Sequence, residues 1–184
     1  MTTTRAPANQ LVQGPVHAQR WASVGFRLDD EAAVPECRRA ARWLLETWKL
    51  TWVPDLIDDV LVMVSELVTN VQRHAGPAHP AGSFTLWHPA RRLVLTVHDK
   101  GELPWRTNWW ATAAQGNSET GRGLALVRGL AEAHCGEFDV TGDGDLVAPG
   151  KVMRVRMLLP DVQWPTPDPP CPWGRLGPPS NVWP

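Results

Sequence analysis

Apolar side chains recur at helical spacing in three segments of the chain. In residues 29–50, which open on acidic residues, one side of the predicted helix carries Val34, Cys37, Ala41, Leu44, Leu45 and Trp48. A second helix is predicted from Pro54, a residue suited to a first turn, to about Ala75, where a Gly-Pro pair ends it. Residues 123–136 show the third helical stripe and end at a glycine.

Four other segments alternate apolar and polar residues or form short apolar runs, as strands do: 21–28, 83–88, 92–99 and 151–159. Residues 89–91 join two of them as a hairpin. The predicted order is β-α-α-β-β-loop-α-β. It indicates an α+β fold, a two-layer sandwich in which helices cover one face of a mixed, mostly antiparallel sheet.

The length of 184 residues favours one domain with additional segments at its ends. Residues 1–20 are predicted to be a flexible lead-in, residues 21–160 the domain, and residues 161–184 a Pro/Trp-rich tail. Half of the 18 prolines lie in residues 160–184, so this segment can be neither a helix nor a central strand. It is either a disordered tail or a segment that docks through its tryptophans on a partner or on its own domain.

Charge and cysteine usage exclude several classes of protein. The formal net charge is −1, which gives no electrostatic reason to expect nucleic acid or a membrane surface as a partner. No apolar run reaches the roughly 18 residues of a membrane span, and no signal sequence opens the chain. Three scattered cysteines form no C-x-x-C pair and suit a reducing compartment. We therefore expect a cytoplasmic protein.

Polar residues border the apolar stripe of the second helix. Glu66, Asn70 and His74 recur every fourth residue and so line one edge of that helix. A carboxylate and an amide one turn apart on such an edge can face a cavity between helix and sheet. The alternative is an ordinary solvated face, which is the commoner origin of this spacing.

A carboxylate ends the strand 92–99. Asp99 closes this apolar strand, and Gly101 lets the chain turn away tightly. An aspartate at such an edge can accept a hydrogen bond from a purine amino group, although D-x-G is also an ordinary turn signal.

Glycines flank an arginine at the entry to the third helix. Gly121, Arg122 and Gly123 lie where a loop is predicted to become a helix, whose first N–H groups and positive dipole end suit phosphate oxygens. A tight entry turn would also need glycine. No Walker sequence, G-x-x-x-x-G-K-[ST], occurs in the chain.

Together and in this order, the three motifs resemble those of the histidine-kinase-like (Bergerat, or GHKL) ATPase superfamily, and in it most of all the small bacterial anti-sigma-factor serine/threonine kinases. "ELVTNVQRHAG" is similar to the family's N box, "DKGELP" to its first glycine box and "GRGLALV" to its second. The resemblance covers about residues 21–160. It implies the Bergerat ATP-binding fold, with ATP and Mg²⁺ as ligands.

The resemblance also implies roles for individual residues. Glu66 matches the general base, or the carboxylate that orients the attacking hydroxyl, and Asn70 matches the Mg²⁺ ligand. Asp99 matches the acid that binds the adenine amino group, and Gly101 the glycine under the base. The positions that match the phosphate-facing end of the lid are Gly121, Arg122, Gly123 and Leu124. His74 is either a neighbour of the phosphates or a capping histidine.

The chain departs from the family pattern in three places. Leu103 and Pro104 follow the first glycine box where many members have another glycine. The last strand begins Gly150-Lys151-Val152 where a threonine near the adenine is usual. Three tryptophans lie in the short lid, where they could close over nucleotide or receive a partner: Trp105, Trp109 and Trp110.

The function implied by the resemblance is a regulator that binds Mg·ATP and phosphorylates a Ser or Thr of an antagonist. Its expected partners are an anti-anti-sigma (STAS-type) protein and a sigma factor. The sequence leaves open whether the protein forms a homodimer. The main alternative is an adaptor, ATP-dependent or ATP-free, that binds a partner without phosphoryl transfer. A fragment of a sensor histidine kinase is less favoured, because no dimerisation helix with a phospho-acceptor histidine precedes the domain.

Overall fold

The computed structural model describes residues 11–13, 19–74, 80–89, 91–100, 119–145 and 150–160. Three helices and six strands lie in these ranges. Their bounds are β1 Leu11–Gln13, β2 Gln19–Arg27, α1 Ala33–Thr47, α2 Leu56–His74, β3 Ala81–Pro89, β4 Arg92–Asp99, α3 Glu119–Ala133, β5 Glu137–Gly142 and β6 Lys151–Leu158.

The strands form one sheet in the order β1-β2-β3-β4-β6-β5. Every pairing between neighbouring strands in it is antiparallel. The α+β, two-layer architecture predicted from the sequence is confirmed, with a more uniform strand direction than the mixed sheet that was expected. The chain crosses from β4 through α3 and β5 before β6 returns beside β4, which brings the ends of β4 and β6 together.

The helices pack on one face of the sheet because each carries a continuous apolar stripe. On α2 this stripe is buried over about four turns: Leu56, Val60, Leu61, Met63, Val64, Leu67, Val68 and Val71. It meets alternate side chains of the sheet in a single core: Phe84, Leu86, Leu93, Leu95, Val97, Met153, Val155 and Met157. Acidic residues in the first turn of α2 and basic residues in its last turn complement its dipole.

The structure differs from the sequence prediction in several elements. The helices α1 and α2 begin at Ala33 and Leu56, after the acidic residues and the Pro54 that were predicted to open them. The short edge strands β1 and β5 were not predicted, and α3 begins at Glu119 instead of residue 123. Glycines at 121 and 123 argue against a helix by intrinsic propensity, and tertiary packing against α2 overrides that preference. Gly101, the tryptophan-rich lid and the Pro/Trp-rich tail lie outside the described residues. Strand β1 and the first residues of β2 lie within the segment 1–20 that was predicted to be a flexible lead-in, so the sheet extends before the predicted domain boundary. The boundary at residue 160 stays a prediction.

Candidate functional site

A polar edge of α2 faces α3. Glu66, Asn70 and His74 lie on this edge as predicted, and they line a small cavity together with Gly123 and Leu124 of α3. The structure thus brings together residues from two of the three sequence motifs. It also adds Thr69 and Arg73 to the wall, so the edge is a full helical stripe at positions 66, 69, 70, 73 and 74.

Gly123 of α3 lies directly against α2. A Cβ atom added to this residue would collide with the carboxylate of Glu66. Glycine is therefore what allows α3 to pack directly on the predicted catalytic side chain. The contact fixes the distance between the second glycine motif and the N-box helix.

Asn70 lines the cavity and also contacts the sheet. Its amide nitrogen donates a hydrogen bond to the sulfur of Met153 on β6, at 3.4 Å. With the nitrogen used in this way, the amide oxygen is the atom left to bind a metal. Amide oxygen is a hard ligand of the kind that Mg²⁺ prefers, and Mg²⁺ commonly takes only one or two protein ligands beside phosphate oxygens and water. The residue therefore fits the ion.

Asp99 ends β4 on the face covered by the helices. It is fully buried, and its Oδ2 atom lies 3.2 Å from Nζ of Lys151, the first residue of β6. The two residues are direct partners in the β4–β6 register, so their side chains leave the same face of the sheet side by side. The side chain of Lys151 is only 7% exposed. The acid predicted to bind adenine is thus already in a buried ion pair.

The charges of the ion pair act on His74, a residue of the cavity wall. Burial lowers the pKa of His74 below its ordinary value of 6.5, and the positive charges of Lys151 and Arg73 lower it further, while Asp99 opposes them. His74 lines the cavity and also responds to the charges at the start of β6. Asn70 of the same edge contacts Met153, which lies two residues after Lys151 on β6 and faces the same side of the sheet, so the ion pair lies near the N-box edge.

A second buried carboxylate secures the strand ends on which this pair lies. Asp143, whose side chain is 2% exposed, contacts His98 and Lys100, the neighbours of Asp99, at 3.0 and 2.9 Å. Its other oxygen accepts the backbone N–H of Gly150, the neighbour of Lys151, at 3.0 Å. Burial would raise the pKa of Asp143, but the hydrogen bonds from His98, Lys100 and the backbone hold it well below its usual range.

The remaining predicted residues lie at the start of α3. Because this helix begins at Glu119, Gly121, Arg122 and Gly123 lie inside its first turns and not before it. The N–H group of Gly121, the third helical residue, is among the first four N–H groups, which have no partner within the helix. The side chain of Arg122 is exposed. The individual roles of these residues stay predictions.

Sequence reasoning missed Thr69, Arg73, Asp143 and the ion pair of Lys151. Thr69 and Arg73 could have been found, because they complete the i, i+3, i+4, i+7 spacing that begins at Glu66. The contacts of Asp143 and Lys151 depend on long-range strand register, which no local pattern reveals.

Two kinds of feature are absent from the part of the chain that the structure describes. None of the helices in the described ranges is both long and apolar enough to cross a membrane. In the same part of the chain, no group of three His, Cys, Asp or Glu side chains is arranged to hold a metal ion.

Comparison with known proteins gives the family. A search of the curated proteins finds no match. Among solved structures, the chain is similar to a mycobacterial sensor histidine kinase, MprB, with 18% sequence identity and a TM-score of 0.45, over 57% of this chain and 74% of that one. The family model of the histidine kinase-like ATPase domain matches residues 26–148, from the end of β2 to beyond β5. On the strength of this match over two thirds of its length, the chain belongs to the family of histidine kinase-like ATPase domains.

Proposed function

We propose that this domain binds Mg·ATP between α2 and the ends of β4 and β6, and transfers the γ-phosphoryl group to a Ser or Thr of an antagonist protein. The antagonist is of the STAS type, and the regulator also sequesters a sigma factor. The observation that carries the proposal is the shared cavity, in which Glu66 and Asn70 of α2 face Gly123 and Leu124 of α3.

The division of labour in the site follows from the chemistry of its side chains. Asp99 accepts a hydrogen bond from the base, and Asn70 offers its amide oxygen to the metal. The unpaired N–H groups at the start of α3 and the guanidinium of Arg73 face the phosphate charge. Mg²⁺ bound there offsets the charge of the triphosphate. Phosphoryl transfer requires this kind of positioning and charge stabilisation more than covalent chemistry from the protein.

Glu66 is the proposed general base. Its carboxylate accepts the proton of the Ser or Thr hydroxyl as the hydroxyl oxygen bonds to the γ-phosphorus. The bond from that phosphorus to the β–γ bridging oxygen breaks, and ADP leaves with the electron pair. Gly123 packs directly on this carboxylate, which supports a fixed position for the base.

A labelling experiment tests the transfer. Purified protein is incubated with ATP labelled on its γ-phosphate and a panel of STAS-type proteins, and phosphate on the acceptor Ser or Thr is counted. Glu66→Gln should slow labelling about 10²- to 10⁴-fold and leave ATP affinity nearly unchanged. Glu46→Gln, at an exposed position of α1, makes the same change of charge outside the site and should label like the wild type.

One observation favours the second candidate, an adaptor that binds its partner without phosphoryl transfer. The carboxylate of Asp99 already forms an ion pair with Lys151, and this ion pair competes with a hydrogen bond from Asp99 to adenine. Two results together would establish the adaptor and overturn the kinase. The wild-type protein would regulate its partner without transferring phosphate to it, and the Glu66→Gln variant would regulate the partner equally well.

A further inference from the structure

The buried pair of Asp99 and Lys151 is an unusual feature on the helix-covered face of a sheet. The two side chains are 0% and 7% exposed, and they extend toward the helices from directly paired positions of neighbouring strands. Removing two charges from water is costly, and an apolar pair would stabilise a sheet at least as well. Stability is therefore a weak reason for a lysine at this position.

The pair is held in place from the opposite face of the sheet. Asp143 contacts the residues on both sides of Asp99 and accepts the backbone N–H of the residue before Lys151. It also closes the strand ends through a hydrogen bond from its own N–H to the carbonyl of Gly150, at 3.0 Å. These contacts fix the two backbone positions from which the acid and the amine extend.

The chemistry of the pair matches one edge of a purine. A carboxylate only accepts hydrogen bonds and an ammonium only donates them, so the rung presents one acceptor beside one donor. Adenine presents its 6-amino donor beside the N1 acceptor along its pairing edge. Hydrogen bonds of about 3 Å from that edge to both side chains are compatible with the 3.2 Å between Oδ2 of Asp99 and Nζ of Lys151.

We propose that Lys151 is a base-reading residue, which donates a hydrogen bond to N1 of adenine while Asp99 accepts one from the 6-amino group. The inference rests on the proposed function, because it assigns the part of ATP that this end of the cleft recognises. It also implies selection against guanine. There the 6-oxygen would face the carboxylate and the N1–H would face the ammonium, so that both contacts are repulsive.

Nucleotide analogues test the assignment on the wild-type chain without any mutation. In 1-deaza-ATP a carbon replaces N1 and the 6-amino group stays. In 7-deaza-ATP a carbon replaces N7, which lies on the other side of the 6-amino group. Calorimetry with Mg²⁺ should show that 1-deaza-ATP binds roughly 10- to 100-fold more weakly than ATP, as expected for the loss of a hydrogen bond to a charged donor. The affinity for 7-deaza-ATP should equal that for ATP.

A lysine variant then assigns the effect to this residue. The substitution Lys151→Met should weaken ATP binding. The variant should also bind ATP and 1-deaza-ATP with equal affinity. The matched control is Lys49→Met, which removes the same charge at an exposed position between α1 and α2 and should keep the full difference between the analogues.

Three results overturn the inference. If wild type binds 1-deaza-ATP as tightly as ATP, Lys151 does not read N1, although the site still binds ATP and the proposed function stands. If Lys151→Met binds ATP more tightly than wild type, the lysine competes with the base for Asp99 instead of assisting it. If wild type binds no nucleotide, the proposed function fails and this inference fails with it.

Discussion

Gly123 of α3 lies against the carboxylate of Glu66 on α2, so closely that a single added methyl group would collide with it. This contact joins the second glycine motif to the N-box helix and suggests a way to move the proposed base without unfolding the domain. The atom in the way is the far end of a flexible side chain, which can rotate aside at low cost.

Gly123→Ala should therefore separate activity from stability. Alanine favours the helix by about 1 kcal/mol over glycine, so the melting temperature should hold or rise. The displaced carboxylate of Glu66 should slow phosphate transfer to the partner. Gly129→Ala in the same helix, where a Cβ atom meets nothing within 4 Å, should gain stability and keep full activity. Equal transfer rates for the two variants would contradict the positioning of Glu66 by α3.

The ion pair of Asp99 and Lys151 predicts coupling between two substitutions. Asp99→Asn leaves a buried ammonium without its charge partner, and Lys151→Met leaves a buried carboxylate, so each alone should lower the free energy of unfolding by about 3 kcal/mol. The double variant removes both charges, so its loss in free energy of unfolding should be smaller than the sum of the losses in the two single variants. Chemical denaturation of the four proteins measures this coupling energy, and strictly additive losses would show that the pair does not form.

The histidine of the cavity reports the same geometry without nucleotide. The pKa of His74 should lie below 6.5, because burial and the charges of Lys151 and Arg73 disfavour the imidazolium. Lys151→Met removes one of those positive charges and should raise this pKa in an NMR titration, whereas Lys49→Met should leave it unchanged. An unshifted His74 in Lys151→Met would place the lysine away from the cavity.

Asp143 predicts a component of acid stability. Its pKa is depressed in the folded protein, so its contribution is complete at pH values above the ordinary value of 3.8 and is lost as the pH falls toward the folded-state value. Asp143→Asn should lower the free energy of unfolding by about 3 kcal/mol at pH 7 and flatten its decline below about pH 4. Parallel stability curves for the two proteins from pH 7 to pH 2 would exclude this role.

Local patterns were sufficient to predict the helices, the central strands and the polar edge of α2. Each of these elements carries its own periodic signal, from the stripe of α2 to the alternation of β6. Strand β5 was missed because Phe138 is its only buried residue and glycines lie at both of its ends, so its sequence is typical of a loop. It forms because β6 supplies a partner along its whole length.

The interior of the site was less accessible to prediction from the sequence. The motif placed Asp99 at a strand end, but its complete burial and its pairing with Lys151 arise from the register of β4 with β6, across about fifty residues of chain. The early start of α3 likewise runs against the low helix propensity of Gly121 and Gly123. In both places tertiary packing decides what the local sequence leaves open.

The most direct measurement of the central claim is a calorimetric titration of wild type and Asn70→Ala with ATP, each with and without Mg²⁺. Wild type should bind ATP more tightly with Mg²⁺, and Asn70→Ala should lose this Mg²⁺-dependent gain, because the proposed protein ligand of the ion is gone. The melting temperature of Asn70→Ala serves as the control for folding. A wild type that binds no ATP, or a folded Asn70→Ala that keeps the full Mg²⁺-dependent affinity, would contradict a Mg·ATP site on this edge of α2.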